Sequence, residues 1–154
     1  LRRHDDIQVR SVSSCYDSPS VGGPPDAPDF LNAAVHITTT LDPESLRGVL
    51  HEIEDALGRV RTTDPDSPRT IDLDIIYYGD LAKQFDGWSI PDPTAETATH
   101  VALPIAEVVP RWVHPESGRT ALEIAEAVSQ GEPKVVPNMA LKLSNMESKG
   151  TAPP

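Results

Sequence analysis

The chain has 154 residues, enough for one domain with a buried core, and 24 acidic against 13 basic residues give it a formal charge of -11. That balance opposes binding to nucleic acid or an anionic membrane surface, so a polyanionic substrate must be met by local arginines and metal. A single cysteine, Cys15, excludes an internal disulfide, and no apolar run approaches the roughly 18 residues that span a bilayer; a soluble, cytoplasmic protein is expected.

Residues 1–6 lead abruptly into Ile7–Val12, where apolar and polar side chains alternate as in a strand. The stretch 18–28, with glycines, serines and four prolines, has the composition of a loop. Residues 30–40 predict the next strand, with Phe30 and Asn32 on one face. Phe30 reads either as a core ring or as a platform for a flat heterocycle, whose edge the Asn32 amide can both donate to and accept from. Asp42 and Pro43 then predict the cap and first turn of a helix with the apolar stripe Leu46, Val49, Leu50, Ile53 and Leu57, ended by Gly58. His51 and Glu54 lie at the edge of that stripe.

Residues 69–78, Arg-Thr-Ile-Asp-Leu-Asp-Ile-Ile-Tyr-Tyr, alternate Ile71, Leu73, Ile75 and Tyr77 with Asp72, Asp74, Ile76 and Tyr78, which predicts a strand. Asp72 and Asp74 then share a face, about 7 Å apart at their Cα atoms. They are either the wet face of an edge strand or paired carboxylates around a divalent cation that relieves their repulsion. Arg59, Arg61 and Arg69 nearby favour the cation, because guanidiniums grip phosphate oxygens that a metal can bridge. Further on, Gly79-Asp80 marks a turn, residues 101–109 a short helix and residues 112–118 another turn. Thr120-Ala-Leu-Glu123 is a capping box that starts a helix through Leu122, Ile124, Ala125 and Val128. From residue 131 periodicity is lost, so the expected organisation is a domain over 1–130 and a disordered tail over 131–154.

Several of these stretches together resemble a known family. Gly-Arg-Val-Arg at 58–61 and Pro-Arg-Thr-Ile-Asp-Leu-Asp-Ile-Ile at 68–76 are similar to the signature of 6-hydroxymethyl-7,8-dihydropterin pyrophosphokinase. Pro-Asp-Phe-Leu-Asn-Ala-Ala-Val at 28–35, Val-Ser-Ser-Cys-Tyr at 12–16 and Leu-Pro-Ile-Ala-Glu-Val-Val-Pro at 103–110 extend the resemblance over residues 7–128. It implies an α+β fold, a ferredoxin-like antiparallel sheet with helices packed on it. It also implies an opening apolar strand and helix that this sequence lacks, hence an N-terminally truncated domain with little activity as it starts at Leu1.

The activity implied is transfer of pyrophosphate from ATP to a reduced hydroxymethylpterin in folate biosynthesis, with other folate-pathway domains as expected partners. Asp72 and Asp74 then hold Mg2+, in two ions bound with ATP; with Arg59 and Arg69 they are the catalytic set. His51, Glu54, Arg59, Arg61, Arg69, Ile75 and Ser89 correspond to ATP contacts, and Ser18, Pro19, Val21, Phe30, Asn32 and His100 to pterin contacts. The sequence departs from the family at Gly87, Asp92 and Ala98, positions usually basic, and in the acidic stretch 62–67. Those departures support an alternative, a non-catalytic fragment that retains pterin or metal binding.

Overall fold

The computed structural model describes residues 1–18, 30–59, 71–130 and, as backbone, 136–142. Among them the chain builds a small α+β fold of antiparallel strands and three α-helices. Strands β1 (Ile7–Val12) and β4 (Val35–Thr39) pair from Ile7 opposite Thr39 to Val12 opposite Val35. Strand β2 (Ser14–Ser18) lies between β3 (Phe30–Asn32) and β7 (Val136–Lys142).

The sequence predicts one strand over 30–40, but the structure divides it at residues 33–34. There the Ser13 amide donates to the Ala34 carbonyl at 2.9 Å, and the Ala34 amide donates to the Ser13 hydroxyl at 2.8 Å. A side chain substitutes for a ladder partner, so β1/β4 and β2/β3 are two halves of a ribbon bent at Ser13. Residues 136–142, expected within a disordered tail, instead form β7 by pairing antiparallel with β2. The edge of β2 has backbone donors and acceptors to satisfy, and β7 supplies their partners. The remainder of 131–154 lies outside the described residues.

Helix α1 (Pro43–Ala56) starts as the sequence predicts: the Asp42 carboxylate accepts from the Glu44 and Ser45 amides at 3.1 and 3.0 Å. It ends where Gly58 adopts a φ of 88°, a conformation that costs glycine little. Leu46 and Leu50 bury against Ile7, and Ile37, Leu41, Leu73, Ile75 and Tyr78 pack around them. A second cluster joins α2 (Thr99–Val108) to α3 (Ala121–Val128) through Ala102, Ile124 and Ala125. The capping box forms as expected, with the Glu123 amide donating to Thr120 Oγ1 and the Thr120 amide donating to Glu123 Oε2.

Residues 71–78 differ from their predicted strand. No strand among the described residues pairs with them, so the ladder that defines a strand is missing. Other groups hold them: the Leu73 amide donates to Glu54 Oε1 at 2.6 Å, and the Ile76 carbonyl accepts from the Asp92 amide at 2.9 Å. The predicted alternation survives only in part. Leu73 and Ile75 pack inward while Asp72 and Asp74 face solvent, but Tyr78 rather than Tyr77 joins the core, donating its hydroxyl to the Leu41 carbonyl. Tyr77 leaves that face to stack on Trp112, ring centroids 3.7 Å apart.

After the turn at Gly79, β5 (Lys83–Gln84) and β6 (Ser89–Ile90) form a short hairpin, and a 3-10 turn at Pro93–Glu96 leads towards α2. His114 is buried and organises the turn before α3, its Nδ1 accepting from the Glu116 and Ser117 amides. Glu96 ties the 3-10 turn to this turn by accepting from Arg119 Nη2 at 2.8 Å. No helix among the described residues is long and apolar enough to cross a membrane.

Candidate functional site

The fourfold spacing of Leu46, Leu50 and Glu54 carries all three onto the buried side of α1, so a carboxylate enters the core where the helix ends. Glu54 is 1% exposed. Such a burial is tolerable only with charge-assisted partners. Gly58 supplies one by reversing the chain, which brings Arg59 back over the last turn with its amide donating to the Glu54 carbonyl. Arg59 Nη1 then donates to Glu54 Oε1 at 2.5 Å and to Asp72 Oδ1 at 2.6 Å. With the Leu73 amide also on Glu54 Oε1, one buried carboxylate positions both the arginine and the segment carrying the two aspartates.

The Glu54 carboxylate, expected on the nucleotide side, is inside the protein, bound to Arg59 and the backbone. His51, one turn earlier, is half-buried. Burial opposes the charge on Arg59, but its bonds to Asp72 and the field of Glu54 outweigh that and raise its pKa.

Asp74 reaches solvent, yet the protein around its carboxylate raises its pKa, and the negative charges of Asp72, Asp92 and Glu54 add to the rise; Arg59 acts in the opposite sense. A carboxylate so placed gains from a cation. Among the described residues no three His, Cys, Asp or Glu side chains converge to hold a metal ion. Two hard oxygen donors fit magnesium nonetheless, because that ion commonly takes one or two carboxylates and completes its shell with water and phosphate.

Beside this cluster lies a cavity of about 460 Å³ whose lining includes Lys83, Ser89, Asp92, Glu96 and His114. Ser89, expected to contact ATP, is therefore on a concave surface, and Ile75 lies in the core beneath the aspartates. The three positions where a basic residue was expected have backbone duties here. Gly87 turns the hairpin with a φ of 77°, which disfavours an arginine. Asp92 caps the 3-10 turn by accepting from the Thr94 amide and hydroxyl, and Ala98 precedes α2 as its N-cap without a side-chain bond.

On the other side of the fold, Ser18 ends β2 and faces Phe30 in the ladder, while Tyr16 faces Asn32. The Asn32 amide donates to the Ser18 hydroxyl at 2.7 Å. Phe30 is 57% exposed, which rules out its reading as a core ring and leaves its face open to stacking. His100 is exposed in the first turn of α2. Of the expected site residues, Pro19, Val21, Arg61 and Arg69 lie outside the described residues, as does the acidic stretch 62–67. Sequence reasoning gave no role to Glu107, which bridges α2 to β2, although it stands within the 103–110 motif; its type and position carried no signal of a partner about ninety residues away.

Residues 1–110 match the family described as 7,8-dihydro-6-hydroxymethylpterin-pyrophosphokinase. The chain is 38% identical over 122 residues to the 2-amino-4-hydroxy-6-hydroxymethyldihydropteridine pyrophosphokinase of Synechocystis sp., covering 79% of this chain and 61% of that protein. It is 37% identical over 107 residues to the protein of the same name from Haemophilus influenzae, covering 70% of this chain and 66% of that one. Similarity to the bifunctional protein FolKE of Lactococcus lactis is 39% identity over 109 residues, 71% of this chain and 31% of the relative. The chain thus spans less than two thirds of the length of each of these relatives.

Proposed function

Because the chain belongs to the 7,8-dihydro-6-hydroxymethylpterin-pyrophosphokinase family, we propose that it transfers a pyrophosphoryl group from ATP to the hydroxymethyl group of a reduced pterin. The observation that carries this reading is the pair Asp72 and Asp74 beside Arg59, braced from below by Glu54. Balanced chemically, the pterin hydroxyl oxygen bonds to the β-phosphorus of ATP, the bond from that phosphorus to the α-bridging oxygen breaks, AMP leaves, and the hydroxyl proton passes to water.

Asp72 and Asp74 would hold magnesium, which would neutralise the charge that develops on the phosphate groups. Arg59, with Arg61 and Arg69, orients the polyphosphate, and His51, Ile75 and Ser89 line the nucleotide side. Phe30 stacks on the pterin ring while Asn32 reads its edge, with Ser18, Pro19, Val21 and His100 completing that side. The catalytic gain comes from holding hydroxyl and phosphorus in line, since phosphoryl transfer asks little covalent chemistry of the protein.

The ferredoxin-like sheet and the two-ion site belong to this proposal. So do a domain over 1–130, to whose sheet β7 adds a strand from beyond that limit, a cytoplasmic setting and association with other folate-pathway domains, which the bifunctional relative supports. In that sheet, residues 71–78 would need a neighbouring strand to complete their ladder. A second reading, a binding module without turnover, draws support from Gly87, Asp92 and Ala98, whose places serve the backbone rather than phosphate. The deciding experiment measures AMP released from ATP in the presence of magnesium and 6-hydroxymethyl-7,8-dihydropterin. Release that requires all three components supports the enzyme; pterin binding without AMP release replaces it with the module.

A further inference from the structure

Glu107 stands in the last turn of α2, where an acidic side chain opposes the helix dipole and no basic residue accompanies it. Both of its carboxylate oxygens are nevertheless engaged. Oε1 accepts from the Ser14 amide and the Ser14 hydroxyl, both at 3.0 Å, and Oε2 accepts from the Tyr16 hydroxyl at 2.9 Å. Ser14 marks the irregularity in the β2–β7 ladder, next to Ser13 where the ribbon bends. Tyr16 is buried, and burial first, then its bond to Glu107, raises its pKa to about 12, so the phenol remains a donor. The three bonds therefore fix the start of β2 on α2.

What β2 carries beyond this anchor gives the contact its meaning. Tyr16 pairs across the ladder with Asn32, and Ser18 accepts from the Asn32 amide. On α2, His100 and Glu107 are seven residues apart, so helix geometry places them on one face, two turns from each other. We propose that Glu107 is a positioning residue: its carboxylate holds the ribbon end bearing Ser18, Phe30 and Asn32 against the helix bearing His100. It thereby fixes the two walls between which a flat heterocycle binds. This inference rests on the pterin reading of that slot.

The test compares the parent chain with Glu107→Gln, which keeps the volume but sets an amide donor against the donors of β2, and with Tyr16→Phe, which deletes one bond. The dissociation constants of 6-hydroxymethyl-7,8-dihydropterin and of magnesium-ATP are measured by calorimetry, and exchange of the Asn32 side-chain amide by NMR. In Glu107→Gln the pterin constant should rise about tenfold, as for loss of charge-assisted bonds, while the nucleotide constant stays within about twofold. Turnover should show a raised KM for pterin with kcat kept at saturation. Exchange of the Asn32 amide should quicken in both variants, less in Tyr16→Phe. Equal weakening of both ligands, or an unchanged pterin constant, overturns the proposal. If the parent chain itself fails to bind pterin, the reading of the slot falls. The Asn32 exchange then decides the inference alone, and unchanged exchange in both variants overturns it.

Discussion

On the proposed pterin side, β2 is hydrogen-bonded along both edges, to β3 and β7, and the ladder itself sets Asn32 opposite Tyr16. On the proposed phosphate side, residues 71–78 have no ladder among the described residues and are attached through the carboxylate of Glu54, the guanidinium of Arg59 and the amide of Asp92. Ladder bonds join neutral groups and do not depend on protonation. The phosphate side depends on charges that a cation or a polyphosphate can redistribute, so it is the half whose geometry should respond to ligand and pH.

The sharpest break in that contrast removes the carboxylates. Asp72→Ala or Asp74→Ala should lower magnesium-dependent AMP release by roughly 100-fold to 1,000-fold or more, the scale of losing preorganised charge stabilisation. Circular dichroism and pterin affinity should stay near those of the parent, since neither side chain enters the ribbon. Near-parent turnover in either variant would return the aspartates to the wet face of the segment.

A second break acts on folding. Glu54→Ala leaves Arg59 beside a void and the Leu73 amide without its acceptor, and breaking a buried pair of this kind costs about 3–5 kcal/mol. Glu54→Gln retains an acceptor and should cost less. Urea unfolding midpoints separate the two; a Glu54→Ala chain within about 0.5 kcal/mol of the parent, as for an ordinary surface change, would mean that Glu54 braces nothing.

The ladder-held side gives a smaller and more selective effect. Asn32→Ala should weaken pterin binding by about 1–3 kcal/mol, the cost of leaving a buried polar edge unpaired, with magnesium-ATP affinity kept. Equal losses for both ligands in titration calorimetry would show that Asn32 supports the fold at large.

These halves were unequally legible in the sequence. Local signals survived: Asp42 and Pro43 start α1, Gly58 ends it, Thr120 and Glu123 form their box, and Ile7–Val12 is a strand. Each depends on neighbours a few residues away. The failures involve distant partners. Residues 71–78 have strand-forming composition, but a strand also needs a ladder, and Tyr77 is drawn from its expected face by Trp112, far along the chain. Likewise the break in 30–40 depends on the Ser13 hydroxyl, and β7 depends on the edge of β2. For the site, the pairing of Asp72 with Asp74 and the sharing of a face by Phe30 and Asn32 followed from strand periodicity. The burial of Glu54 is also written in its spacing from Leu46 and Leu50, but a charged residue carries no weight in an apolar stripe.

The smallest effect concerns Asp74 and sharpens the contrast through pH. Its folded-state pKa is raised above 3.8, by desolvation first and then by Asp72, Asp92 and Glu54. The folded chain thus holds this proton more tightly than the unfolded chain. Its contribution to stability declines as pH rises from about 3.8 through the raised value, and at neutral pH the repulsion is fully present. Glu96 and Asp42 have lowered pKa values, chiefly through the Ser117 hydroxyl and the Ser45 amide respectively, and their contributions run the other way, being lost as pH falls. The total pH profile therefore mixes both signs, and the Asp74 component must be read as a difference between two chains. Asp74→Asn, which removes the charge and keeps the shape, should melt slightly above the parent at pH 7, and the gap should close as the pH is lowered towards 3.8. Magnesium with ATP should also close it, by stabilising the parent alone. A variant that melts below the parent at pH 7, with a gap that neither acid nor magnesium-ATP alters, would show that Asp74 is held by packing and not poised for a cation.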